Sequence, residues 1–324
     1  MIHYTLSDLE FESKAMELFK IQANENSIYK RFLDLINVNP ENVNKVNEIP
    51  FLPIQLFKFH TIKTGDWNEQ KVFLSSGTTQ QIRSRHFVRD EKSYLSVAVK
   101  GFESVFGDLK EWIIIAYLPG YTENPSSSLI SMVDELIRLS NNELSGFVEF
   151  DAEKLIERLQ QSIIANKKVM LVGVAFALLD FVKANQLIMP ELFILETGGM
   201  KGRGENFTRD DLHKVLSENF GTQNVYSEYG MTELFSQAYT TAKTSGFFGI
   251  KTLKALIKDI NDPMEIKKNG RYGVLNFIDL ANVDTCAFIA TQDIGLMNDD
   301  GSFEVIGRID NADVRGCNLL YFQP

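Results

Sequence analysis

The chain has 324 residues, 44% hydrophobic and 23% charged, with a formal net charge of −10. A composition this close to the globular average excludes a disordered or fibrous chain, and the length fits about two domains at roughly 150 residues each. A negative surface repels a phosphate backbone, which argues against nucleic acid as a partner, and the longest apolar run, residues 169–179, falls short of the ~20 residues of a membrane helix.

The N-terminus, MIHYTLSDLE, has no basic leader, and two cysteines are too few for a disulfide framework, so a cytoplasmic protein is expected. Leu9, Phe11, Ala15, Met16, Leu18, Phe19 and Ile28 recur at near-helical spacing behind a Ser7/Glu10 capping box. Residues 1–60 therefore read as a helical lead-in, punctuated by Pro40, Pro50 and Pro53. Strands are expected at 112–118, 169–173, 192–196, 225–229, 274–279, 287–291 and 303–306, and helices at 90–106, 127–140, 152–165, 176–186, 208–219 and 232–240. In the helix at 152–165, Leu155, Ile156, Leu159, Ile163 and Ile164 fall on one side, and Thr208 with Asp211 caps the one at 208–219. This alternation predicts an α/β core over 61–264, with mixed or parallel sheets flanked by helices. From about 265, the turns KKNGRYG and NDDGS predict a small β-rich subdomain over 265–324.

Five segments carry candidate chemistry. FLSSGTTQ at 73–80 offers N–H groups and hydroxyls of Ser75, Ser76, Gly77, Thr78 and Thr79 that can wrap phosphate oxygens. It lacks the lysine of a Walker loop, and taken alone it reads first as a Ser/Thr/Gly turn after a strand. ETGGMKGRG at 196–204, with Gly198 and Gly199, lies at a strand end, where α/β folds bind ligands. A loop without a ligand fits that segment equally, since GxGxxG spacing is absent.

YSEYGMTEL at 226–234 joins Tyr229, able to stack on a base, to Gly230, Thr232 for a phosphate and Glu233 for Mg²⁺. Glu233 as an ordinary acid in a first helical turn is the alternative. TQDIG at 291–295 carries Asp293, which can accept both ribose hydroxyls. GRIDNADVRG at 307–316 carries Arg308, which can reach ribose or phosphate oxygens. A turn aspartate and a solvated arginine explain those two as well.

Together, SSGTT, TGGM, EYGMTE, TQD and GRID resemble, in order and spacing, the adenylate-forming enzymes, whose acyl- and aryl-CoA ligases carry an SSGTTG-like loop, YGxTE, TGD and GRxD. The LSSGTT beginning, the RGC ending and the short length are most similar to the acyl-protein synthetase (LuxE-type, long-chain-fatty-acid–protein ligase) family, over about residues 50–320. The resemblance implies an adenylate-forming fold without the lid domain of larger ligases, because the chain stops fourteen residues after Asp310. It also implies ATP- and Mg²⁺-dependent activation of a carboxylic acid, a fatty acid, to acyl-AMP, followed by acyl transfer to a thiol. By motif position, Ser75, Ser76, Gly77, Thr78 and Thr79 would hold the β/γ-phosphates, and Gly198 and Gly199 would wall the adenine, with Tyr229 and Gly230 nearby. Thr232 would meet the α-phosphate, Glu233 the metal, Asp293 the ribose, and Arg308 the ribose or phosphate. Gln80 and Gln292 depart from the pattern, each standing where the family has glycine.

Cys317, seven residues from the end, is the acceptor the resemblance implies. CoA, a carrier protein, or an acyl-donor or reductase protein are partners it also allows. Ten residues separate Cys317 from Gly307, enough reach at about 3.3–3.6 Å per residue, and Arg315 beside it can depress the thiol pKa. A cysteine packed as a small hydrophobe is the alternative, and for Cys286 it is the better reading. His3, His60, His86 and His213 show no metal-ligand spacing, and His86 with Arg83, Arg85 and Arg89 reads as a solvated basic face. Two competing readings stay open: a lidless aryl- or acyl-CoA ligase, and a nucleotide-binding relative without catalysis.

Overall fold

The computed structural model describes residues 7–76, 82–119, 124–198, 208–241 and 244–309. The expected capping box of Ser7 and Glu10 starts α1 (Asp8–Glu25), and the Asn26 side chain caps α2 (Ser27–Leu35). After β1 (Leu52–Pro53) and the single turn α3 (Leu56–Phe59), β2 (Lys71–Leu74) and β3 (Arg85–Val88) pair as a separate antiparallel ribbon. Helices and strands then alternate: α4 (Glu91–Phe106), β4 (Trp112–Tyr117), α5 (Ser128–Ser140), β5 (Gly146–Phe147), α6 (Ala152–Ser162), β6 (Lys168–Val174), α7 (Ala175–Ala184), β7 (Leu192–Thr197), α8 (Arg209–Phe220) and β8 (Val225–Tyr229). Strands alone follow: β9 (Ala238–Thr241), β10 (Thr244–Gly249), β11 (Leu253–Lys258), β12 (Gly273–Asp279), β13 (Phe288–Met297) and β14 (Phe303–Arg308).

The main sheet runs β11-β12-β13-β14-β10-β9-β8-β7-β6-β4-β5, with β1 alongside β13. β5, β4, β6, β7 and β8 are parallel, as crossover helices require. From β9 to β11 every pair along the sheet is antiparallel, as hairpins permit. The seam between the two halves is the β8–β9 pair. The α/β architecture expected from the sequence is therefore present as one mixed sheet flanked by helices. Apolar strands such as Trp112–Tyr117 are buried along their whole length, because α4 and α5 cover one face while α6, α7 and α8 cover the other.

The lead-in helices pack on the antiparallel half. Phe19, Tyr29 and Phe288 form one aromatic cluster with centroids 5.9–6.1 Å apart. Gln22 donates to the Asn282 carbonyl at 2.8 Å and accepts from the Ala287 N–H at 2.9 Å. Asn26 donates to the Thr285 carbonyl at 2.9 Å. These buried bonds join residues of the first turns of sequence to the β12–β13 connection. Gly270 (φ +73°) and Gly301 (φ +84°) occupy the left-handed backbone that the KKNGRYG and NDDGS turns need. Among the described residues, no helix is long and apolar enough to cross a membrane.

Two expectations are corrected. Residues 163 and 164 do not extend the apolar side of α6. The helix ends at Ser162, a 3-10 turn follows, Asn166 turns left-handed, and Ile163 and Ile164 are exposed. The helix expected at 232–240 does not form either; the chain turns through 231–237 and enters β9. Its cause is Asp279, buried at the end of β12. Its Oδ2 accepts from the N–H groups of Phe235 (2.8 Å) and Ser236 (3.0 Å), and Oδ1 from the Ser236 hydroxyl (2.6 Å) and the Ala281 N–H (3.0 Å). In a helix those two N–H groups would bond residues 231 and 232 instead. Asp279→Ala leaves several buried donors unpaired and is expected to cost about 3 kcal/mol or more, read as a lowered urea midpoint.

Candidate active site

The motif segments meet at the seam of the sheet. β7 and β8 end side by side with Thr197 opposite Glu228, and both C-terminal ends open toward the same edge. Gly198, directly after β7, has φ +76°, a backbone conformation that calls for glycine, and no described residue crowds the place of its Cβ. Ligands of α/β sheets collect at such carboxyl ends. Tyr229 closes β8, and the turn carrying Gly230, Thr232 and Glu233 follows it.

From the antiparallel half, β13 brings Asp293 and β14 brings Arg308 to opposed positions. The Tyr229 hydroxyl donates to Asp293 Oδ2 at 2.7 Å, and Arg308 Nε lies 3.3 Å from Asp293 Oδ1. Burial pushes the Asp293 carboxyl upward, opposed by the Tyr229 bond and by the Arg308 charge. Burial, then the Asp293 charge, holds the Tyr229 phenol well above its ordinary value. The Tyr229 ring packs against Phe247, Phe277 and Phe303, which fixes its position.

The loop at 73–80 is described up to Ser76. Ser75 exchanges backbone and side-chain bonds with Ser84: its N–H donates to the Ser84 carbonyl at 3.1 Å, and its hydroxyl accepts from the Ser84 N–H at 2.9 Å. Arg83 clamps the same spot, donating to the carbonyls of Ser75 (2.5 Å) and Leu74 (3.3 Å). The Ser84 hydroxyl in turn bonds the buried Glu233 carboxylate, which burial pushes upward in pKa. Ser75, Ser84 and Glu233 thus form one hydrogen-bonded line from the phosphate-loop candidate to the EYGMTE turn. Gly77, Thr78, Thr79 and Gln80, Gly199, Lys201 and Arg203, and Arg315 and Cys317 lie outside the described residues.

One residue here was misread from sequence. His86 belongs to no solvated face; it is fully buried on β3. Its Nδ1 lies 2.6 Å from the Thr232 carbonyl and its Nε2 3.0 Å from the Thr285 hydroxyl, between the rings of Phe57 and Phe235. Those partners assign the proton to Nδ1, which donates to Thr232 while Nε2 accepts from Thr285. The apolar Phe87 and Val88 that follow it, buried like His86 itself, were the available signal, hidden by the flanking arginines. Cys286 is a core residue, as expected, with its thiol pushed up to about 12 by burial.

Burial pushes His86 down to about 4 from 6.5, so the unfolded chain binds the extra proton in that window. Stability is full above pH 6.5 and falls as pH drops toward 4, by about 3 kcal/mol at roughly 1.4 per unit. His86→Gln should shrink the drop in urea midpoint between pH 7 and pH 5; an undiminished drop would assign it to other groups.

The sequence pattern of acyl-protein synthetase, LuxE, matches residues 11–323. The chain belongs to this family. It is therefore a ligase of the acyl-protein synthetase type. The long-chain-fatty-acid–luciferin-component ligase of Vibrio harveyi is 23% identical to it over 94% of this chain and 85% of that protein, and the Aliivibrio fischeri ligase is 22% identical over the same shares. Among solved structures, an open 2-hydroxyisobutyryl-CoA ligase aligns with TM-score 0.70 and 11% identity, covering 94% of this chain and 70% of that one. ATP-bound MatB from Rhodopseudomonas palustris aligns with TM-score 0.55 and 14% identity over 73% of this chain. The chain spans about half, 47%, of the ATP-bound ligase structures it matches. At these identities the solved structures establish the adenylate-forming fold.

Proposed function

We propose that this chain activates a carboxylic acid, a fatty acid, with ATP, forming acyl-AMP and pyrophosphate, and passes the acyl group to a thiol. One observation carries the reading: Tyr229, Asp293 and Arg308, drawn from three distant motifs, are joined by a hydrogen bond and an ion pair at the ends of the parallel strands, with Glu233 on the turn that follows Tyr229. The names of the Vibrio harveyi and Aliivibrio fischeri relatives support the fatty acid, and the ATP-bound neighbours support the nucleotide.

Each group has a task compatible with its surroundings. The loop at 75–79 supplies N–H and hydroxyl donors to the β/γ-phosphates, with Arg83 holding its first carbonyls in place. Thr232, fixed through its carbonyl by His86, faces the α-phosphate under attack by the substrate carboxylate. Donors held rigid toward developing charge lower the barrier electrostatically. Asp293 and Arg308, with Gly198, Gly199, Tyr229 and Gly230 around them, orient the nucleoside.

Glu233 fits a metal that arrives with the nucleotide. Its carboxylate is buried on one serine hydroxyl with no lysine or arginine within ion-pair distance among the described residues, so a cation beside it would offset desolvation. Mg²⁺ prefers hard oxygen ligands, and the Glu233 carboxylate would supply one. When bound, Mg²⁺ would neutralise charge on the phosphates. In the second step a thiol sulfur attacks the acyl carbonyl, its proton leaves to solvent, and AMP departs. Cys317 is the proposed acceptor, in what we take to be a cytoplasmic enzyme.

Glu233→Gln should lower acid-dependent pyrophosphate release by about 10²–10³-fold. Cys317→Ser should abolish the acyl mass adduct on the intact protein while pyrophosphate release persists. Acylated CoA or carrier protein, formed undiminished by Cys317→Ser, would instead place the acceptor outside the chain.

A further inference from the structure

The face of the parallel half beneath α4 and α5 is apolar along Trp112, Ile114, Met170, Val172, Phe193, Leu195 and Tyr226, apart from its last row. There Thr197, Glu228 and Tyr239 stand opposite one another on β7, β8 and β9. Facing residues of adjacent strands put their Cβ atoms about 4.5–5.5 Å apart, so the three side chains share one patch. Gln237, just before β9, reaches the same region, its Cγ 3.7 Å from where a Gly230 Cβ would be.

These groups are deeply buried: Thr197 and Tyr239 are 1% exposed, Gln237 3% and Glu228 8%. Yet among the described residues no partner reaches the Thr197 hydroxyl, the Tyr239 hydroxyl or Gln237 Oε1. Gln237 spends its amide N–H on the Phe235 carbonyl at 2.9 Å, leaving the oxygen. Tyr94, the nearby aromatic wall, is committed elsewhere, donating to the Ser128 carbonyl at 2.9 Å. The Glu228 carboxyl folds back over Gly230 of the EYGMTE turn, so a Cβ at that glycine would collide with Oε1. Buried polar atoms are nearly always paired, and the Thr197 and Tyr239 hydroxyls, orphaned in one row beside a buried carboxyl, with Gln237 Oε1 nearby toward Gly101 of α4, call for a missing partner. Burial, reinforced by Glu196, pushes the Glu228 carboxyl up to about 8, so at neutral pH it carries a proton and can donate.

We propose that Glu228, Tyr239, Thr197 and Gln237 form a polar subsite for a hydroxyl on the acyl chain, making the substrate a hydroxylated carboxylic acid. The subsite abuts Gly198 and Gly230, at the strand ends where the acid is to be activated, and the inference rests on the adenylation reading. A substrate hydroxyl donates its proton to Gln237 Oε1 and accepts from the Tyr239 hydroxyl or the Glu228 carboxyl. A plain methylene chain laid across the same row would leave every one of these groups dry and unpaired, which is the costlier arrangement.

The test compares pyrophosphate release from chain-length-matched plain and monohydroxylated acids, with the hydroxyl position scanned along the chain. One or more hydroxy acids should exceed the plain acid in kcat/KM by about ten- to a hundredfold. Tyr239→Phe removes a hydroxyl that has no partner among the described residues, so thermal stability should hold while the preference shrinks several-fold. Glu228→Leu should bring the ratio near one, and Glu228→Gln, which keeps a donor, should retain part of it. Plain acids matching hydroxy acids at every position, or a preference indifferent to both Tyr239→Phe and Glu228→Leu, would overturn the subsite and leave adenylation standing. Absence of pyrophosphate with every acid would overturn adenylation and the subsite with it.

Discussion

A turn of seven residues, 231–237, has neither helix nor sheet to satisfy its backbone, and its burial makes that satisfaction obligatory. Buried peptide groups without partners are costly, so side chains from elsewhere must supply the bonds. Asp279 takes the N–H groups of Phe235 and Ser236, His86 the carbonyl of Thr232, and Asn282 the carbonyl of Glu233 at 2.9 Å. Three separate elements therefore have to be in place before this turn is stable. The same turn carries Thr232 and Glu233, so the site is assembled as a condition of folding.

That dependence also explains how the two halves of the sheet cooperate. The parallel half presents strand ends toward one edge but has no reason to stop there; the seam at β8–β9 is where crossover helices give way to hairpins. β12 supplies Asp279, and β13 and β14 supply Asp293 and Arg308, so the antiparallel half both props the turn and sets an ion pair against Tyr229. The lead-in helices matter for the same reason. Gln22 and Asn26 hold the loop at 282–287 that carries Asn282 and Thr285, and Thr285 is the second partner of His86.

Charge in this region is handled by restraint. Glu228, Glu233, Asp279 and Asp293 are all pushed upward by burial, and only Asp293 has an arginine within ion-pair distance among the described residues. Asp279 is offset by four hydrogen bonds, Glu233 by a serine, and Glu228 by holding its proton. Each solution leaves a different chemical character at neutral pH, so neighbouring carboxyls can serve different roles.

Much was legible in the residues alone. Short apolar runs bounded by turns, such as Trp112–Tyr117, read as buried strands, helices with caps such as Thr208 and Asp211 announce their own starts, and five motifs in order point to the family. These are local properties, carried by neighbours within a few positions. The helix expected at 232–240, the solvated reading of His86 and the silence about Glu228 failed for a common reason. Their states are set by Asp279, Thr285 and Glu196, residues distant in sequence or on another strand, whose approach no local pattern records. Sequence determined which segments fold and which chemistry they carry; tertiary contact decided which backbone groups were captured, which acids kept their protons and which polar atoms were left without a partner among the described residues.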